Sequence, residues 1–97
     1  SKIQRGQITI DRTRHKVTVG KKEISLTLTE FKLLEFMARR PGAVFSRARI
    51  LDAVAGQDTI ACDRTVDAHV KSLRQKLGSA KDYIETIRGA GYRFKEV

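Results

Sequence analysis

The 97-residue sequence has little of several things on which small proteins often rely: one cysteine, one proline, two histidines, no tryptophan, and aromatics at 6% of positions. A single cysteine excludes an intramolecular disulfide, and with only two histidines beside it a structural zinc site is short of ligands. No unbroken apolar run exceeds four residues, which excludes a membrane-spanning helix or a signal-peptide core within these residues. Scattered aromatics argue against recognition of single-stranded RNA by base stacking. No glycine-rich phosphate loop or paired-carboxylate motif occurs, and Ser46, Cys62, His15 and His69 are far apart in the chain. The sequence therefore reads as non-enzymatic, without a cofactor, and suited to a reducing, cytoplasmic setting.

What is present is enough for one core. At 10.9 kDa and 40% hydrophobic residues, the chain reads as a single domain over residues 1–97. Twenty Lys and Arg against eleven Asp and Glu give a net charge of +9. Residues 1–28 carry seven basic and two acidic side chains, residues 29–63 five of each, and residues 64–97 eight and four. Basic ends around a balanced middle suggest a nucleic-acid partner met largely through the C-terminal third. No segment pairs a lysine-rich face with an exposed bulky apolar one, so a membrane surface is not expected.

Period-two alternation marks short strands at Gln7–Ile10, Lys16–Val19 and Glu23–Leu26, within a sheet region over residues 1–26. Three such strands cannot stand alone in water and must cover something. Helices are expected between residues 27 and 78. Thr27-Leu28-Thr29-Glu30 has capping-box spacing, with Leu26 and Phe31 placed as a hydrophobic staple. Phe31, Leu34, Met37 and Ala38 recur at helical spacing until Pro41-Gly42. Ser46 caps a second helix that turns Ile50, Leu51 and Val54 inward and closes at Gly56; Gln57–Cys62 is aperiodic; a third helix runs from about Asp63 to Gly78. Residues 84–97, around Gly89-Ala90-Gly91, read as a β-hairpin.

The third helix has two distinct faces. With Val66 as origin, Val70, Leu73 and Leu77 form a narrow apolar seam. Opposite lie Arg64, Ala68, Lys71 and Gln75; Asp67 and Arg74 flank one edge, His69, Ser72 and Lys76 the other. A major groove admits such a helix: Arg or Lys can read guanine, Gln can read adenine, and a methyl can touch thymine. An ordinary solvated face would carry similar charges, so the helix alone does not settle the matter. Helix, loop, helix and glycine-tipped hairpin, in that order, match a winged helix-turn-helix.

Four stretches make the match specific: Leu26–Leu34, Arg40–Arg47, Asp63–Leu77 and Ile84–Phe94. In order and spacing, over nearly the whole chain, the sequence resembles the DNA-binding effector domain of OmpR/PhoB-type response regulators. The resemblance implies an α+β winged helix: an N-terminal antiparallel sheet of four strands, three helices and a C-terminal β-hairpin wing. A fourth strand is then expected within residues 1–6 or near 11–16. By position, Arg64, His69, Lys71, Ser72 and Arg74 stand where the family contacts phosphates and bases, and Arg88 where it inserts an arginine into the minor groove. Gln57, Asp58, Thr59, Ile60 and Ala61 stand at the family's polymerase-contact loop. Implied partners are double-stranded DNA, as a tandem dimer on direct repeats, RNA polymerase, and an N-terminal receiver domain in the full-length protein. Two departures touch affinity and base preference: Ala55 replaces a usual tryptophan, and Ser72 a frequent arginine.

Other residues receive plainer readings. Cys62 is a small loop residue, His15 is inert in a strand turn, and Tyr92 and Phe94 belong to the core. Asp67 orients Arg64 or Arg74 through a helix-spaced ion pair. Two alternatives remain open: an architectural, sequence-tolerant DNA binder, and a winged-helix protein-interaction module using the neutral 29–63 segment.

Overall fold

The computed structural model describes residues 1–55 and 63–97, the second group with side chains from Thr65 onward. The chain opens with an antiparallel sheet of four consecutive strands, β1 (Lys2–Arg5), β2 (Ile8–Asp11), β3 (Lys16–Val19) and β4 (Lys22–Ile24), in the order β1-β2-β3-β4. Cross-strand pairs Ile3–Ile10, Ile8–Val19 and Ile10–Val17 bring one apolar row to the inner face, where all five side chains are buried. The fourth strand is β1, in the first of the two places that the family pattern allows. The third period-two segment is shorter than expected: β4 ends at Ile24, leaving Leu26 to pack at the edge of the core.

Helix α1 (Leu28–Ala38) starts as its sequence dictates: the Glu30 amide donates to Thr27 Oγ1 at 3.1 Å and the Thr27 amide to Glu30 Oε1 at 2.9 Å. Its buried Phe31, Leu34, Met37 and Ala38 face the core. A short strand not expected from the sequence, β5 (Val44–Phe45), precedes helix α2 (Arg47–Val54), which is capped by Ser46. Two residues are too few for a visible alternation; β5 exists because β7 offers it a ladder. Helix α3 (Asp63–Leu77) follows, with Val66, Val70, Leu73 and Leu77 all at most 2% exposed. A 3-10 turn over Gly78–Tyr83, also unforeseen, leads to β6 (Ile84–Ile87) and β7 (Gly91–Phe94). The second sheet has the order β5-β7-β6. At Gly91 (φ 139°) any Cβ would collide with the Phe45 carbonyl, so β5 can approach β7 only because that position is glycine.

One core joins both sheets and the helices, from Ile3, Ile8 and Ile10 through Leu33, Met37 and Ile50 to Leu73, Ile84 and Phe94. The first sheet is fastened to the helices by Arg5 Nε donating to the Ala38 carbonyl (2.9 Å), and to the 3-10 turn by the Gln7 amide donating to the Tyr83 hydroxyl (3.0 Å). The ring of His15 stacks on Phe31, 4.6 Å between centroids and 12° from parallel. Gly56, the Gln57–Ala61 segment, Cys62 and the side chain of Arg64 lie outside the described residues.

Candidate nucleic-acid interface

With its seam pinned by the core, α3 presents a fixed outer face. Ala68, Lys71 and Gln75 are exposed along it, and none has a side-chain hydrogen bond or ion pair among the described residues. His69 is half-buried at the α1-facing edge, beside Thr29, Leu33 and Val66. Arg64 belongs to the same stripe by sequence spacing.

The two edges behave otherwise. Toward α1, the Ser72 hydroxyl donates to Glu30 Oε2 at 2.5 Å and Lys76 Nζ donates to Glu30 Oε1 at 2.7 Å. Burial of Glu30 would raise its carboxyl pKa. Hydrogen bonds from Lys76, Ser72 and the Thr27 amide outweigh that and hold it at about 2. Glu30 therefore carries a charge at neutral pH although only 2% exposed. Toward the wing, Arg74 donates through Nε and Nη2 to the Ile84 carbonyl at 3.0 and 2.7 Å, and through Nη2 to Thr86 Oγ1 at 2.8 Å. Ser72 and Arg74, placed at DNA by resemblance, thus have partners within the protein. In sequence they look like neighbouring groove residues; in space they sit on the helix edges that face other elements.

Asp67 has two partners not expected from the sequence, while the pairing expected with Arg64 lies outside the described residues. Its Oδ1 accepts from Arg47 Nε at 3.0 Å and from the Tyr92 hydroxyl at 2.6 Å, tying α2, α3 and β7 together. These partners are 20 and 25 residues away, beyond the reach of helix-spacing rules. Burial raises the Tyr92 phenol pKa and the neighbouring Asp67 raises it further, so the hydroxyl remains a donor. Tyr92 and Phe94 are core residues as expected, at 7% and 0% exposure.

Past β6, Arg88 and the Gly89-Ala90 tip are exposed, and Arg88 has no internal partner among the described residues. A cleft runs between this hairpin and the start of α2, lined by Ser46, Arg47, Ala48, Arg88 and Tyr92. Among the described residues no cluster of three or more His, Cys, Asp or Glu could hold a metal ion, and no helix is long and apolar enough to cross a membrane.

A helix seated by its apolar seam, with a cationic and amide outer stripe beside a glycine-tipped hairpin, defines a winged helix-turn-helix of the DNA-binding kind. The match to known proteins is specific. Residues 20–94 fit the family described as transcriptional regulatory protein, C terminal, and the chain belongs to it, as an effector domain of OmpR/PhoB-type response regulators. It is 48% identical over 89 residues to the phosphate regulon transcriptional regulatory protein PhoB of Rhizobium meliloti, covering 90% of this chain and 39% of that one. It is 45% identical over 95 residues to the transcriptional regulatory protein VxrB of Vibrio cholerae, covering 98% and 38%. The chain therefore spans about two fifths of these relatives. Among solved structures it is similar to the DNA-binding domain of the response regulator AdeR in complex with an intercistronic region (TM-score 0.86, 34% identity, 98% and 99% coverage). It is similar also to the Klebsiella pneumoniae RstA DNA-binding domain in complex with the RstA box (TM-score 0.85, 30% identity, 98% and 97%).

Proposed function

We propose that this domain reads double-stranded DNA for a two-component transcription regulator, with α3 in the major groove and the β6–β7 wing against the adjacent minor groove. The observation that carries this reading is the division of side chains on α3. Lys71, Gln75 and Ala68 are exposed and unengaged among the described residues, while the flanking Ser72, Arg74 and Lys76 are held by the protein itself. The reading groups are thus Arg64, Ala68, His69, Lys71 and Gln75 on the helix, with Arg88 inserted from the wing into a narrow A·T-rich minor groove. Ser72 and Arg74 serve the interface by holding the helix in place.

One domain offers one helix and one wing, a small footprint. Two copies arranged head to tail on direct repeats about one helical turn apart would present both helices to one side of the duplex. In the whole protein a receiver domain would precede this one, and residues Gln57 to Ala61, of which only Asp58 is charged, would meet RNA polymerase. The protein would act in the cytoplasm as a binder rather than an enzyme.

Selection of bound sites from random duplexes tests the reading. Enrichment of a directly repeated site with an A·T-rich flank is expected. Equal affinity for all duplexes at one salt concentration points instead to an architectural binder, and no duplex shift at low salt to a protein-interaction module. Changes within Gln57 to Ala61 should leave DNA affinity intact while lowering output from an activated promoter; a loss of affinity equal to that of Lys71→Ala would place the segment in the DNA interface.

A further inference from the structure

Tyr92 occupies a singular position between the helix and the wing. The residue is only 7% exposed on β7, its hydroxyl donates to Asp67 of α3 at 2.6 Å, and the Arg74 guanidinium carbon lies 5.6 Å from the ring centroid. Asp67 and Arg74 are two turns apart on one edge of α3, so a single aromatic side chain meets the helix at two points about 10 Å apart along its axis. Each point is itself secured: Asp67 by Arg47 of α2 at 3.0 Å, Arg74 by the Ile84 carbonyl and Thr86 hydroxyl of β6. Tyr92 lies opposite Thr86 on β6 and Phe45 on β5, one pair below the Ile87–Gly91 pair that closes the turn carrying Arg88. A small rotation at this pair, so close to the turn, would displace the Arg88 guanidinium while leaving the stripe of Lys71 and Gln75 where it is.

We propose that Tyr92 is the positioning residue that sets the spacing between the recognition helix and the wing, with Asp67 and Arg74 as its two fastenings, so that preference for the sequence beneath the wing depends on side chains that do not touch DNA. The proposal rests on the groove assignment given above for Lys71 and Arg88. It assigns Arg74 to the protein's interior framework and removes it from the phosphate contacts.

The test measures binding of the chain to duplexes that share one selected core site and differ only in A·T or G·C flanks under the wing. Tyr92→Phe keeps the ring and removes only the hydroxyl; Asp67→Ala changes a side chain that is 39% exposed, so folding is retained. Each should lower the A·T-over-G·C flank preference about fivefold, the scale of one net hydrogen bond, while discrimination at core base pairs is kept. In an Arg88→Ala background the same changes should have no further effect on flank preference. Arg74→Lys, which keeps the charge and loses the fork, should also lose flank preference without altering the salt dependence of binding.

Unchanged flank preference in both Tyr92→Phe and Asp67→Ala, or a wild-type chain without flank preference, overturns the proposal. So does a uniform loss of affinity on every duplex, which marks a purely structural role. A salt slope shallower by about one in Arg74→Ala shows a phosphate contact and overturns its part. If Lys71→Ala and Arg88→Ala bind every duplex like the wild type, the groove assignment itself fails. If those two lose binding while Tyr92→Phe keeps its flank preference, only the positioning role fails.

Discussion

Lys71 and Lys76 stand five residues apart on one helix and look equivalent in the sequence, yet the fold gives them opposite uses. Lys76 lies on the edge facing α1 and is bound to the buried carboxylate of Glu30 at 2.7 Å. Lys71 is on the outer stripe and has no partner among the described residues. The same contrast separates Arg74, whose fork closes on the Ile84 carbonyl, from Arg88, which is exposed at the wing. Net charge counts all four alike. The charge available to a polyanion is the part that the fold has not already used.

The largest effect is expected from the fastened side. Glu30→Ala removes the capping-box partner of Thr27 and the acceptor for both Ser72 and Lys76, and should lower stability by about 3 kcal/mol, read as a shift in denaturant midpoint. A change below ~0.5 kcal/mol would break the distinction between held and free residues.

The same carboxylate predicts an acid limit. Folding lowers the Glu30 pKa from its ordinary 4.5 to about 2, so its contribution is complete above 4.5 and is lost as pH falls toward 2. The depressed pKa corresponds to roughly 3 kcal/mol across that window. Thermal melts between pH 6 and 2 should show the decline, and Glu30→Gln should flatten it; equal acid sensitivity in both proteins would assign the decline to other groups.

On the free side the effect should appear in binding and spare the fold. Lys71→Ala or Gln75→Ala should cost about 1–3 kcal/mol at the cognate base pair and relax preference there, with stability unchanged within about 0.5 kcal/mol. Competition against duplexes altered at one base pair at a time measures it.

The smallest and most direct comparison uses salt. If roughly five phosphates are neutralised, log affinity should fall against log salt with a slope of about −4 to −5. Lys71→Met should make that slope shallower by about one, because a free cation brought against the duplex displaces condensed counterions, whereas Lys76→Met should leave it unchanged. Equal slopes for the two variants would erase the contrast.

Much of this was legible in the residues. Alternation marked β2 and β3, and the Thr27–Glu30 spacing marked the start of α1. The Val66, Val70, Leu73 and Leu77 seam fixed which side of α3 faces outward, because helical period translates sequence position directly into direction. What escaped was everything decided between distant segments. β5 has too few residues to show a period and needs β7 as its template. His15 meets Phe31 across a strand turn and a helix.

The sequence by itself determined the family, the order of elements, the buried seam and the stripe opposite it, since each depends on local period or on motif spacing. Only the tertiary structure decided which cations and hydroxyls on that helix are spent inside the protein. Glu30 is 42 and 46 residues from Ser72 and Lys76, and Asp67 is 20 and 25 from Arg47 and Tyr92. Such pairings follow from how α1, α2 and the wing are seated around α3, and side-chain chemistry read along the chain carries no record of that seating.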